Sequence, residues 1–271
     1  MLDLTVLLEL AALGLCMGFL AGLLGIGGGA VMVPFLIWML GKRDIPLELS
    51  IKIAIATAMA TIMFTSLSSV RAHHQKGAVR WDLVKTLAPG IVAGSLLGSL
   101  GLFSIVSGQI LTVVFALFVS FSATQMLINA KPAPTRQIPG LVGQFVAGGV
   151  IGLASGLVGA GGAFISVPYM TWCNVAIHNA VATGAALGFP IAFANVVGYI
   201  VSGMSLEDPL PQTVGYLWLP ALGVISSCSV LMAPIGANLA HRMPVKQLKR
   251  IFACMMYLLA AHMLVKGWTA S

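Results

Sequence analysis

The sequence predicts an all-α polytopic membrane protein built of two inverted-topology repeats. Each repeat is a glycine-rich broken helical segment followed by three transmembrane helices, between about eight and ten spans in all. Three observations carry this reading: the hydropathy, a glycine-rich motif that occurs twice, and the placement of Lys and Arg. Of 271 residues, 59% are hydrophobic and 8% charged, and the mean hydropathy is +1.01. A soluble domain carries about 25% charged residues. No soluble fold could cover this much apolar surface with so few polar groups.

Runs long enough to span a bilayer cover about 3–24, 49–70, 83–103, 109–130, 139–158, 179–203, 213–238 and 247–265. Two shorter apolar pieces, about 29–40 and 163–176, follow "GLLGIGGGAVMVP" (22–34) and "GLVGAGGAFISVP" (156–168). The N-terminus carries Asp3 and Glu9 and no positive n-region, so it reads as the first span and not as a cleaved signal. The polar, proline-bearing stretch "AKPAPTRQIPG" (130–140) marks an inter-repeat linker. The first repeat is therefore 1–130, the linker 131–138 and the second repeat 139–271. The halves repeat each other: Gly18, Gly22, Leu23, Gly25, Gly27, Gly28, Val33 and Pro34 fall on Gly152, Gly156, Leu157, Gly159, Gly161, Gly162, Val167 and Pro168. Further on, "AIAT" (54–57) falls on "AVAT" (180–183), Ser69 on Asn195 and Gly77 on Gly203.

The excess of 14 Lys and Arg over 7 Asp and Glu would suggest nucleic acid in a soluble protein. Here the cations sit in connections between apolar runs, so they set topology and no nucleic-acid partner is expected. Arg71, Lys76 and Arg80, then Lys131 and Arg136, then Arg242, Lys246, Lys249 and Arg250 mark the inside, which makes the linker cytoplasmic. The uncharged "FSIVSG" and the acidic "SLEDPLP" belong outside, as do both termini. Each glycine-broken segment then begins and ends on one side, as a re-entrant hairpin or as two short spans. Each repeat has an odd number of crossings, so the second is upside down relative to the first. Lys42 and Arg43 fall outside against the rule, partly offset by Asp44 and Glu48.

Glycine costs about 1 kcal/mol per residue in a helix interior, and unpaired backbone is tolerated in hydrocarbon only when buried in protein or lining a cavity. Inverted repeats with discontinuous helices are a signature of secondary transporters, so the two breaks are expected to face each other near the midplane. A second half-helix starts near Ala30 and Ala163. Its first N–H groups lack intrahelical acceptors, and with the positive end of the helix dipole they form a cradle for an anion. The candidate substrate-binding residues are Gly25, Gly27, Gly28 and Gly29 at one break and Gly159, Gly161 and Gly162 at the other. Pro34 and Pro168 mark the breaks and are expected in the first turn, where a missing N–H costs little. Thr57 and Thr183, at equivalent positions, and Ser66, Ser69 and Asn195 further along can donate to an oxyanion; each can equally serve as an interhelical hydrogen bond. Arg71 and His73 are candidates for gating or proton handling, with solvated interface histidines at His73 and His74 the plainer reading. Gly14 with Gly18 and Gly94 with Gly98 are explained by close helix packing. "GIGGGA" also fits a dinucleotide-binding pattern, but it lacks the strand that would give it meaning.

Cys16, Cys173, Cys228 and Cys254 lie in apolar runs without paired spacing and are expected as small buried hydrophobes, so neither a metal nor a cofactor is expected. The seven acidic residues lie in or beside connections or in the first turns of the chain, leaving no mid-depth carboxylate to couple a proton or Na⁺.

The two G-x-G-G clusters followed by proline, the inverted halves and the His73-x-x-x-Gly77 spacing together resemble the TauE/SafE family of sulfite and organosulfonate exporters, over nearly the whole chain. The resemblance implies an anion exporter of the bacterial inner membrane and points to Gly25, Gly27, Gly28 and Pro34, and to Gly159, Gly161, Gly162 and Pro168. The sequence departs from the family in reading "AIAT" where many relatives have glycine before the threonine, and in ending its second cluster with Ala163. The expected partners are a small anionic substrate and the lipid bilayer, with a homo-oligomer left open. Import of sulfate or thiosulfate is the alternative within transport; a cysteine-based sulfur-transfer enzyme or a structural subunit are the alternatives outside it.

Overall fold

The computed structural model describes residues 4–24, 28–128, 136–159, 161, 163–206, 211–239 and 245–269. Gly25, Gly27, Gly162 and linker residues 131–135 lie outside the described residues. The first half contains α1 (Leu4–Leu24), α2 (Gly29–Gly41), α3 (Leu47–Gln75), α4 (Trp81–Leu96), a π-helical stretch (Leu97–Leu102) leading into the single turn α5 (Phe103–Ile105), and α6 (Gly108–Ile128). The second contains α7 (Leu141–Val158), α8 (Ala163–Trp172), α9 (Ile177–Gly203), a hairpin of β1 (Thr213–Val214) and β2 (Leu217–Trp218), α10 (Leu219–Leu239) and α11 (Val245–Thr269). Among the described residues, seven helices are long and apolar enough to cross a membrane.

Each glycine-broken segment has one long and one short limb. Helices α1 and α7 have 21 and 18 residues, but α2 has 13 and α8 only 10. At a rise of about 1.5 Å per residue the short limbs reach about 20 Å and about 15 Å, against a hydrocarbon core of about 30 Å. The segment is thus a full-length helix with a half-length return. The chain turns at left-handed glycines: Gly28 (φ 70°) caps the start of α2 and Gly159 (φ 63°) the end of α7. A side chain at Gly159 would also press within 2.7 Å of the Ile55 methyl. Pro34 and Pro168 lie inside α2 and α8, in the second turn and not the first. There each denies the carbonyl four residues earlier, Ala30 or Phe164, its helical donor.

Partner choice repeats between the halves. Helix α1 packs on α10 as α7 packs on α4; α2 lies on α3 as α8 lies on α9; α10 meets α3 as α4 meets α9. Helices α3 and α9 cross each other at the centre, and 72% of the apolar window of each is buried. Glycines set the closest approaches. A Cβ on Gly14 would lie 2.8 Å from that of Cys228, and one on Gly148 2.5 Å from the Leu87 carbonyl oxygen; Gly18 and Gly94 abut the backbones of Ser229 and Gly149. Serine hydroxyls stitch the same contacts, Ser229 donating to the Gly14 carbonyl (2.9 Å) and Ser95 to that of Gly152 (3.3 Å).

Residues 213–218, expected as the start of a span, form the β1–β2 hairpin instead. Gly215 turns it at φ 56°, and it lies against the end of α9, where a Cβ on Gly203 would meet the Tyr216 nitrogen at 2.5 Å. Tyr216, Leu217 and Trp218 are all buried, and Phe103 packs against both Tyr216 and Tyr199. The out-of-place cations are held by this side of the molecule: Lys42 sits on the Trp38 ring (3.4 Å) and 3.8 Å from Glu9, and Arg43 over the Trp218 ring (4.9 Å). Of the cysteines expected as buried, only Cys173 is; Cys16 and Cys254 are exposed on helix faces, where an apolar thiol meets lipid at little cost.

Two hydrogen bonds tie the halves together at equivalent positions. The Trp218 N–H donates to the Thr57 hydroxyl oxygen (3.0 Å), and the Arg80 N–H to that of Thr183 (3.0 Å). Each latches the connection entering α10 or α4 onto the central helix of the other half. Thr57→Val and Thr183→Val leave a backbone N–H without its acceptor, and each should destabilise the protein in detergent by about 1–3 kcal/mol. The loss should be larger at Thr57, whose bond is the more buried; thermal unfolding that moves for neither would remove the latches. Gly94→Leu forces α4 and α7 apart and should cost about 1–3 kcal/mol or more. Gly223→Leu, which meets nothing within 4 Å, serves as the neutral comparison in the same melts.

Candidate functional site

The second glycine break opens onto a cleft of about 340 Å³, counting the space at its mouth. Helix α3 supplies Ile62, Thr65, Ser66 and Ser69; α9 supplies Gly184, Ala185 and Gly188; the break supplies Gly161 and Ala163; and Ala21, near the end of α1, brings in the neighbourhood of the first break. The cleft lies toward the face where α3 ends and α9 begins. That face carries the α3–α4 turn, pinned to α9 by the Thr183 latch and by Asn179 donating to the Ala78 carbonyl (3.0 Å).

Residue size explains why space opens here. In the repeat, Ala58, Met59 and Ile62 of α3 correspond to Gly184, Ala185 and Gly188 of α9, so α9 is slim where α3 is filled. Ala58 and Met59 are fully buried, and beyond them the hairpin with Tyr216 and Trp218 covers the far face. A Cβ on Gly188 would stand 3.2 Å from that of Ser66. Even small side chains on α9 would narrow the cleft.

The polar groups here are hydroxyls and backbone. Thr65 donates to the Thr61 and Ile62 carbonyls (3.1 and 3.2 Å) and Ser66 to that of Met63 (3.0 Å). Ser69, 6% exposed, has a buried Oγ with no partner. Ser166, one turn into α8, also has a buried hydroxyl without a partner, and its Oγ lies 3.3 Å from where a Gly184 Cβ would stand. A buried hydroxyl left unpaired carries a desolvation cost that a ligand oxygen can offset. No lining residue is charged, and no group of His, Cys, Asp or Glu among the described residues could hold a metal.

Of the residues singled out from sequence, Gly161 and Ser69 line the cleft and Ser66 joins them. Gly28 and Gly29 cap and start α2, and Gly159 ends α7 beside Ile55; none lines the cleft. Thr57 and Thr183 are wholly buried in the latches. Asn195 is also buried: its amide donates to the Ile191 carbonyl (2.9 Å), and its Oδ1 lies where a Cβ on Gly156 would come within 2.7 Å. Arg71 is exposed and His73 half-buried at the end of α3. His74 accepts a hydrogen bond from the Trp81 indole (3.1 Å). Sequence reading missed Thr65, Ser166, Gly184 and Gly188. The Gly184–Gly188 spacing of one helical turn was the available signal, but it looks the same as a packing motif.

On the far face Tyr216 combines burial with the nearby Glu48 carboxylate, and both push its phenol pKa up. Lys52, 7% exposed, lies 3.9 Å from Glu48 and 6.0 Å from the Tyr216 ring centre. The near face carries the exposed Arg80–Asp82 ion pair at the start of α4.

The profile of the family described as "Sulfite exporter TauE/SafE" matches residues 10–263. A probable membrane transporter protein of Haemophilus influenzae is 33% identical over 269 residues, covering 97% of this chain and 99% of its own. The probable membrane transporter protein YunE of Bacillus subtilis is 24% identical over 278 residues, covering 95% and 97%. One of Methanocaldococcus jannaschii is 22% identical over 257 residues, covering 94% of each. No solved structure matches the chain. An apolar helical bundle with a neutral cleft at a helix break, matched by the profile over nearly its whole length, is a multi-pass membrane transporter and not an enzyme: the chain belongs to the TauE/SafE sulfite exporter family.

Proposed function

We propose that the protein exports a small sulfur-containing anion, sulfite or an organosulfonate, loaded from the cytoplasm into the cleft at the second glycine break. The observation that carries this is the meeting, at one uncharged cleft, of a helix start with a buried hydroxyl that has no partner in the protein. At the start of α8 the Phe164 N–H turns back to the Gly161 carbonyl (3.3 Å); the other first N–H groups have no acceptor within their helix, and the helix start presents partial positive charge. Ser69 faces them from α3 with a proton to donate. Such neutral donors recognise an oxyanion by charge and oxygen geometry. The half of the bundle holding the cleft is the one that Arg71, Lys76 and Arg80 assign to the cytoplasm by the positive-inside rule.

Direction follows from the same charges. An inside-negative potential favours outward movement of an anion by about 2.3 kcal/mol per charge per 100 mV. Export therefore proceeds as voltage-driven uniport, and the uncharged lining fits a transporter with no coupling carboxylate in the cleft. The inverted repeat gives the anion a second, outward-facing arrangement, in which the two central helices exchange roles.

Efflux from proteoliposomes at a set potential, with sulfite, sulfate and chloride as probes, tests the reading. Wild type should release sulfite at a rate that rises with the potential. Ser69→Ala removes one hydrogen bond to a charged ligand and should raise the concentration for half-maximal efflux about tenfold or more. Gly161→Val, which fills the break, should abolish efflux in protein that still folds. Normal transport by both folded variants would move the site away from the cleft, and sulfite flux that follows a pH gradient uphill at zero potential would exclude uniport.

A further inference from the structure

The cleft also constrains the charge of what it binds. No side chain lining it is charged, so an anion there is stabilised only by hydroxyls and the start of α8. The cost of taking an ion out of water grows with the square of its charge. A dianion in this site would therefore face about four times the penalty of a monoanion.

The hydroxyls add a polarity of their own. Each carries one proton and two acceptor sites. The protons of Thr65 and Ser66 are committed to carbonyls of their own helix. What these two residues turn toward the cleft is lone pairs. Ser69, with no partner, is free to donate; at the start of α8 the Phe164 N–H is taken by the Gly161 carbonyl (3.3 Å), and what the helix adds is the positive end of its dipole and its remaining first N–H groups. A site with donors on one side and committed acceptors on the other fits an oxyanion that still holds a proton. A fully ionised oxyanion would set its oxygens against the lone pairs of Thr65 and Ser66.

We infer that the species this cleft binds is a singly charged, proton-bearing anion: hydrogen sulfite, not the sulfite dianion. The inference rests on the export reading above and narrows it. Sulfate, thiosulfate and sulfoacetate, dianions at neutral pH, are then poor ligands. The titratable side chains on the surrounding helices are Glu9 and Cys16 on α1, Glu48, Lys52, Arg71, His73 and His74 on α3, Tyr169 on α8, His178 and Tyr199 on α9, and Cys228 on α10. None of them lines the cleft.

The test uses the wild-type protein in proteoliposomes at fixed potential, with sulfite, methanesulfonate and sulfate as probes and with charge and sulfur movement measured together. The pH is taken from one unit below to one unit above the second ionisation of sulfite, which lies near neutrality. At constant total sulfite the rate should fall about tenfold across this range, following the monoprotonated fraction. One charge should move per sulfur throughout. Methanesulfonate, a monoanion at every pH used but with no proton to donate to Thr65 and Ser66, should be carried more slowly than hydrogen sulfite, at a rate that does not change with pH and with one charge per sulfur, and sulfate should be carried far more slowly still. Two charges per sulfur for sulfite at the alkaline end, or a sulfite rate that does not fall, would overturn the inference and leave export standing. Methanesulfonate moving with no net charge would place the proton on the protein and overturn it too. Absence of flux for every sulfur anion would remove the export reading and this inference together.

Discussion

A backbone amide inside a bilayer has no water to turn to, and this decides where the helices of this protein can be interrupted. Each break leaves N–H and C=O groups without helical partners, and in hydrocarbon such groups persist only within protein or beside a cavity. The rest of the architecture shelters them. The central helices α3 and α9, the most buried of the spanning helices, stand against the returning half-helices α2 and α8. Around them α1 closes on α10 and α7 on α4 through glycine faces that bring backbones into contact. Lipid offers no hydrophobic gain for helix association, so close approach and buried hydrogen bonds must supply it.

The same economy of charge shapes the cleft. A lysine or arginine there would bind an anion tightly but would need a partner whenever the site was empty. Hydroxyls and a helix start carry only partial charge and can stand empty at modest cost. The difference between the halves then decides access: glycines on α9 leave room toward the α3–α4 turn, whereas Ala58, Met59 and the buried hairpin fill the opposite half. One sequence repeat thus yields two unlike faces.

Much of this was legible in the sequence, because the bilayer imposes long apolar runs and glycine is costly enough in a helix to be noticed. The helices begin and end within a few residues of the apolar runs, as for α3 at Leu47–Gln75 and α9 at Ile177–Gly203. The hairpin at 213–218 was hidden because "TVGYLW" runs uncharged into the apolar helix it precedes; the left-handed Gly215 and its seat on Gly203 separate the two. Thr57 and Thr183 stood out as equivalent polar residues, but sequence could not say that each accepts a bond from a distant connection. Ser66 and Ser69 looked alike as well. They differ only in whether the hydroxyl finds a carbonyl of its own helix, a matter of rotamer and local packing.

The most direct measurement is ligand protection of the cleft. With the four native cysteines replaced, Ala185→Cys places a thiol on the lining of the cleft, and its rate of modification by a thiol reagent is followed as sulfite is added. If the anion rests at the second break, sulfite slows modification several-fold and saturably, over the concentrations that saturate efflux. Efflux that saturates while the modification rate stays constant would show that the anion passes elsewhere.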